Sequence, residues 1–210
     1  MKKLLIHMIG IFIIVICSAA VATDSPLDRF TAEERQKLEK GEAVFKHVQT
    51  KSDDGETRGH GESAAIINKP IDQCWKILLE YDKMHLYFPR KTKSEVVEKE
   101  GNRVAVYKEF SFYVTSIKYT MDYFVDADAH RIDYKINKKY PSDIKDTEGI
   151  FLFEKVDEKR TLFTYAVLKL DTGVKVPGFI QEYITSKDLP AVVLNVKKRI
   201  ESGGKWTKDD

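Results

Sequence analysis

Cysteine is nearly absent. Cys17 and Cys74 are the only two in 210 residues, and Cys17 sits in an apolar leader. With one thiol left beyond that leader, no intramolecular disulfide can form. A core in an oxidising compartment must then be held by burial alone. Charge of one sign is also lacking. Lys2 and Lys3 are the only charges before Thr23, so removing them from the 35 basic residues leaves 33, against 33 acidic. That balance offers no electrostatic footprint for nucleic acid. Lysines are dense but interleaved with acids, the pattern of a solvated surface. There is no CxxC, no i, i+4 histidine pair, no G-x-S-x-G, no P-loop and no G-x-G-x-x-G. His47, His60, His85 and His130 are scattered. His60-Gly61-Glu62 lacks the spacing of a known metal site, so no metal and no cofactor is expected. Cys74 stands beside Trp75 on the apolar side of a helix with no base nearby in sequence, which is the setting of an inert packing thiol.

A long hydrophobic run is missing too. Leu4 to Cys17 is apolar except for His7 and Gly10, but it is shorter than the roughly 20 residues a spanning helix needs. Lys2-Lys3 before it and Ser18-Ala19-Ala20-Val21-Ala22 after it complete a signal peptide over residues 1–22, with cleavage after Ala22. Acylation at Cys17 is discounted, because the preceding Ile16 is large where such sites take a small residue. The expected location is periplasmic or secreted.

What remains is patterned. Residues 23–41 hold Thr31 and Glu34, which form a capping box for a charged helix with few apolar positions, read as a peripheral lead-in that ends at Gly41. Two strands follow, Glu42 to Gln49 and Arg58 to Asn68, around the turn Ser52-Asp53-Asp54-Gly55. The second carries Gly59, Gly61, Ser63 and Ala65 on one face, which invites close packing by something large. Lys69-Pro70-Ile71-Asp72 starts a helix with Cys74, Trp75, Leu78, Leu79 and Tyr81 at helical spacing. A second short helix or turn runs from Met84 to Phe88 and stops at Pro89. Beyond it the period becomes two: Val104, Val106, Phe110 and Phe112; Ile117, Tyr119, Met121, Tyr123 and Val125; Ile132, Tyr134 and Ile136; Phe151 and Phe153; Phe163, Tyr165 and Val167. Short alternating runs bounded by turn residues predict a meander of antiparallel hairpins with one apolar, aromatic face. After Val176-Pro177-Gly178 comes a helical stripe of Phe179, Ile180, Tyr183 and Ile184, then Leu189, Val192, Val193, Val196 and Ile200, with Pro190 breaking or restarting the helix. Gly203-Gly204 ends it, and residues 203–210 are expected to form a disordered tail.

This element order comes with particular residues: Ile67-Asn68-Lys69-Pro70-Ile71, Trp75, Leu78, Tyr81-Asp82, Phe88-Pro89, Glu148-Gly149-Ile150-Phe151, Tyr165 and Val176-Pro177-Gly178-Phe179. Together they resemble the START and polyketide-cyclase superfamily, also known as SRPBCC proteins, and within it the coenzyme-Q-binding START-like branch. The resemblance covers about residues 42–202. It implies an α+β helix-grip fold, a curved antiparallel sheet wrapped around a long C-terminal helix, with two short helices after an early strand. It also implies a ligand of lipid, quinone, sterol or polyketide type in the cavity between sheet and helix, and brings no universal catalytic residue.

The residues agree with that reading. One helical stripe cannot fill a bent sheet, so an apolar pocket of several hundred cubic ångströms is expected. Its candidate wall is Trp75, Leu78 and Phe88 from the short helices; Phe110, Phe112, Tyr119, Tyr123 and Tyr134 from the first hairpins; Phe151, Phe153, Phe163 and Tyr165 from the last; and Phe179, Tyr183 and Val193 from the long helix. Lys108 shares the phase of Val106 and Phe110, so its amine either meets a ligand headgroup or snorkels to the rim. The expected function is to bind and shield or transport a hydrophobic ligand in the cell envelope, as a monomer; the Phe179–Ile184 stripe is read as the end of the core helix, with an apolar lid that touches membrane transiently as the alternative. The alternative is a cyclase/dehydratase-type enzyme in the same cavity, with tyrosines and Lys108 as acid–base groups.

Overall fold

The computed structural model describes residues 25–51, 57–112, 115–171 and 187–209. Helix α1 (Ala32–Glu39) precedes strands β1 (Val44–Lys51) and β2 (Thr57–Ile67). Helix α2 (Ile71–Leu78) and a 3-10 helix (Tyr81–Leu86) follow. Then come β3 (Lys91–Glu100), β4 (Arg103–Phe112), β5 (Thr115–Asp126), β6 (Arg131–Ile136), β7 (Asp146–Lys155), β8 (Thr161–Asp171) and helix α3 (Leu189–Glu201). All eight strands form one antiparallel sheet in the order β1-β2-β8-β7-β6-β5-β4-β3. After β2 the chain crosses by the two short helices to the far edge of the sheet. It then returns strand by strand until β8 pairs with β2. This is the α+β helix-grip architecture expected from the sequence.

Alternation places Val104, Val106, Met121, Tyr123, Ile132, Tyr134, Phe151, Phe153 and Phe163 on one face, where they are buried against α2, the 3-10 helix and α3. α3 contributes Val192, Val193, Val196 and Ile200. Pro190 lies in its first turn, where a missing N–H costs nothing. Residues 187–188, directly before α3, are π-helical. The upstream stripe, with Phe179 and Tyr183, lies outside the described residues. Lys197 fastens α3 to the sheet by donating to Ile66 O at 2.7 Å, and Asn195 donates to Tyr87 O at 2.9 Å. The small residues of β2 have their large neighbour: a Cβ on Gly61 would stand 2.6 Å from Leu189 Cδ1.

Three expectations change. The segment before β1 is more than a lead-in. Its capping box forms as read, Thr31 with Glu34. Leu27, Phe30 and Leu38 then pack with Val44, Ala64, Ile66 and Leu162 into a second core on the outer face of the sheet. The 3-10 helix begins at Tyr81, earlier than the expected Met84. The tail after Gly203 is ordered against the body. Trp206 packs on the main core, Arg199 donates to Trp206 O at 2.9 Å, and Lys208 N–H donates to Leu86 O at 2.9 Å. Gly203 and Gly204, both at positive φ, turn the chain back onto the domain.

At the free edge, β3 carries bulges between Lys91 and Lys93 and between Val96 and Glu98. Among the described residues no helix is long and apolar enough to cross a membrane, and no cluster of three His, Cys, Asp or Glu could hold a metal ion.

Candidate ligand site

Two regions divide the space between sheet and helices. At one end aromatic rings close it. Tyr81 stacks on Tyr123 at 4.9 Å, Phe153 packs on Phe163 at 4.8 Å, and Trp75 meets Phe153 edge-on at 6.2 Å and His130 at 5.4 Å. Trp75, Leu78, Tyr123, Phe153, Phe163 and Val193, all expected on a ligand wall, belong to this packed core. Cys74 is buried here too, and burial pushes its thiol up to about 11. That leaves it protonated and inert.

At the other end the rings part around a partly open cavity of about 170 Å³. Of the residues read as a candidate wall, Phe88, Lys108, Phe110, Tyr119, Tyr134, Phe151 and Tyr165 line it. Pro89, Arg90, Lys91, Ile117, Met121, Ile144, Thr147, Val167, Leu170, Asp188, Leu189 and Val192 complete the wall. The cavity is smaller than expected because the stacked rings fill the rest of the interior. Phe151 is the divider, 4.8 Å from Tyr165, 5.4 Å from Tyr134 and 6.1 Å from Phe88 and Phe163. Phe112 is the last residue of β4 and its side chain lies outside the described ones; Phe179 and Tyr183 lie outside altogether. A wider hollow of about 690 Å³ between the 3-10 helix and the β3–β4 turn has Glu80, Asp82, Lys83 and Lys99 on its wall and suits an apolar guest less.

The polar groups of the cavity are unusual. Lys91 is fully buried and Lys108 is 5% exposed. Alternation brings Lys108 inward, where its amine lies 4.6 Å from the centre of the Tyr123 ring. A tight turn brings in Lys91: Arg90 takes φ 58°, Ser111 N–H donates to Arg90 O at 2.8 Å, and the bulge after Lys91 resets the strand. The Lys91 amine sits 4.0 Å from the Phe88 ring centre, with Met84 Sδ at 3.7 Å as a weak acceptor. No carboxylate pairs with either amine among the described residues. Burial drives the Lys108 amine down to about 7. Burial, with the Lys108 and Lys208 charges nearby, holds Lys91 well below the usual lysine range. Burial likewise raises the phenols of Tyr119, Tyr123 and Tyr134, keeping them neutral hydrogen-bond groups. The Tyr134 hydroxyl is committed to Ala166 O at 3.0 Å, while the Tyr81, Tyr87 and Tyr123 hydroxyls are buried without a partner among the described residues.

At the rim Arg90 Nε and Asp188 Oδ2 pair at 3.2 Å, tying the Phe88–Lys91 turn to the start of α3. Burial raises the Asp188 carboxyl, and Arg90 opposes that shift. Lys208 donates to Phe88 O and Lys91 O, clamping the same turn from behind. Sequence reasoning missed Lys91, Arg90 and Asp188. A bulge, a positive φ and a long-range ion pair place them, and none of these has a periodic signature.

No protein-family model matches the sequence, and no curated protein matches it. Solved structures do match its fold. The STAR-related lipid transfer protein of Xanthomonas axonopodis superposes with a TM-score of 0.58 at 12% identity, over 73% of this chain and 98% of that one. Human StAR-related lipid transfer protein 5 gives 0.57 at 10% identity, over 83% and 94%. The Zhui aromatase/cyclase of Streptomyces sp. R1128 gives 0.55 at 17% identity, over 78% and 100%. At these identities the likeness is one of architecture: the chain has the helix-grip fold shared by START-type lipid-transfer proteins and polyketide aromatase/cyclases.

Proposed function

We propose that this protein binds and carries a hydrophobic ligand of lipid, quinone or sterol type in the cell envelope. The observation that carries the reading is the aromatic cavity of about 170 Å³ between the sheet and the first turn of α3. A cavity of that size takes a ring or the end of a chain. Burying roughly 200 Å² of guest at about 25 cal/mol per Å² gives about 5 kcal/mol, equivalent to submillimolar binding before ordering costs. The rest of a larger ligand extends past the rim. The reading of residues 1–22 as a signal peptide supports a carrier in the periplasm or outside the cell, where an apolar molecule needs shielding. In this reading it resembles the coenzyme-Q-binding START-like proteins. The protein works as a monomer that touches membrane transiently through the Phe179–Ile184 stripe. Native mass spectrometry of protein purified from the envelope tests this: a co-purified lipid-like mass is expected. Recovery of empty protein that also takes up no apolar probe would remove the basis of the reading.

A second reading is favoured by one observation, the Lys108 amine poised near neutrality in the cavity wall. Such a group can move protons in a cyclase or dehydratase reaction. Turnover of a polyketide-like substrate that is lost in Tyr165→Phe and Lys108→Met, with ligand binding kept, would establish it.

A further inference from the structure

Two amines buried in an apolar wall have no structural use unless something answers them. Lys91 and Lys108 both line the cavity, both are more than nine-tenths buried, and neither has a carboxylate partner among the described residues. The other charges nearby are already engaged. Arg90 and Asp188 hold each other, and Lys208 is bonded to the carbonyls of Phe88 and Lys91. The facing rings of Phe88 and Tyr123 accept the charge of the amines but satisfy few of their hydrogens.

We propose that Lys91 and Lys108 form an acid-recognising subsite, which holds the carboxylate head of an amphiphile between their amines while its apolar part lies on Phe88, Phe110, Tyr119 and Phe151. The assignment rests on the ligand-binding reading of the cavity and narrows it to acidic guests. Two amine donors match the two oxygens of a carboxylate. A phosphate monoester brings three acceptor oxygens and a second charge, which two amines leave undersatisfied in a dry site. In the empty protein, desolvation favours the neutral amines. A bound carboxylate restores the ammonium form, so binding takes up protons from solvent.

The sign of the pH dependence follows. Lys108 faces the rings of Tyr119 and Tyr123, Lys91 faces Lys108 and Lys208, and Tyr134 and Tyr165 remain neutral across the range considered. At the rim, 3.2 Å from Arg90, burial raises the Asp188 carboxyl and the guanidinium opposes that shift. Below about pH 7 the Lys108 amine is already charged, and the proton uptake that remains on binding falls to Lys91. Above it, each pH unit demands more proton uptake, and affinity falls by up to about tenfold per proton.

The test is calorimetric titration of the full chain, stripped of bound lipid, with octanoate, octanol and octyl phosphate at pH 6.5 and 8.5. The same titrations are run on Lys91→Met, Lys108→Met and the double variant. Octanoate is expected to bind the unaltered protein about ten- to hundredfold more tightly than octanol, the span of a charge-assisted hydrogen bond. That advantage should shrink at pH 8.5 and vanish in the double variant, whose retained octanol binding shows that it is folded. Equal affinity for octanoate and octanol, or an acid preference that survives in the double variant, overturns the subsite and leaves the apolar cavity standing. Tighter binding of octyl phosphate than of octanoate overturns the choice of carboxylate. Failure of both octanol and octanoate to bind the unaltered protein overturns the ligand-binding reading itself, and the subsite with it.

Discussion

The Tyr134 hydroxyl reaches Ala166 O only because position 149 between them carries no side chain. A Cβ on Gly149 would overlap both the Tyr134 hydroxyl and the Ala166 carbonyl oxygen. The register between β7 and β8 shifts at this point, between Glu148 and Gly149, and the phenol crosses the gap. A cavity-wall residue is thereby fixed by the backbone of a strand two places away.

Gly149→Ala is accordingly expected to destabilise the fold by about 2–4 kcal/mol, in the range of core overpacking plus loss of a buried hydrogen bond. Tyr134→Phe removes only the bond and should cost about 1 kcal/mol. Urea unfolding measures both. A Gly149→Ala protein as stable as the parent would show that the two residues do not approach this closely.

Wall and core should separate under substitution. Val192→Phe projects a ring into the cavity, so it is expected to weaken octanol binding at least about tenfold with the fold kept. Leu78→Ala, in the packed end, should cost about 2–5 kcal/mol of stability and leave probe affinity in the folded fraction unchanged. Binding titrations and thermal melts on the two variants decide; the reverse pattern would relocate the site.

The buried amines make a stability prediction of their own. The folded Lys108 amine titrates at about 7, whereas an unfolded lysine titrates near 10.4. Between those values the unfolded chain holds the extra proton, so the empty protein gains stability as pH rises, by up to about 1.4 kcal/mol per unit for one such group. Lys91, shifted in the same direction, adds to the slope. Buried tyrosines act oppositely above about pH 10, where the unfolded chain ionises first, so the window to measure is pH 7 to 9.5. Lys108→Met should flatten the slope by about one proton and raise stability at pH 7 by about 1–3 kcal/mol. Equal slopes in parent and variant would mean that the amine reaches water.

The docked C-terminus should matter to the site as well as to the fold. Trp206→Ala is expected to cost about 1–3 kcal/mol through lost packing. Lys208→Met removes the clamp on the carbonyls of Phe88 and Lys91 and should cost about 1 kcal/mol. Because that clamp holds the turn presenting Lys91, octanoate affinity should drop further than octanol affinity in Lys208→Met. Hydrogen exchange across residues 86–91 reports the loosening directly.

The sheet was legible from the sequence where alternation is clean. Tyr119, Tyr123, Tyr134, Phe151 and Tyr165 all face inward as their phase requires. Phase cannot say which inward residue meets empty space and which meets another ring, so Tyr123 and Phe163 looked the same as Tyr165. Lys91 was invisible for a sharper reason. It and Ser94 are both buried three residues apart, a spacing that regular alternation forbids and the bulge permits. The second core was hidden because Leu27, Phe30 and Leu38 are too few to signal burial until Ala64, Ile66 and Leu162 appear on the opposite side of β2 and β8.

The free edge at β3 has one more consequence. Its two bulges break the row of backbone donors and acceptors into short pieces, and Lys93, Glu95, Lys99 and Glu100 project charge along it. A second chain therefore finds no straight template for zipping on. A concentrated solution should stay clear of fibres, and replacing Lys93 and Glu95 by valine would be the quickest way to make it grow them.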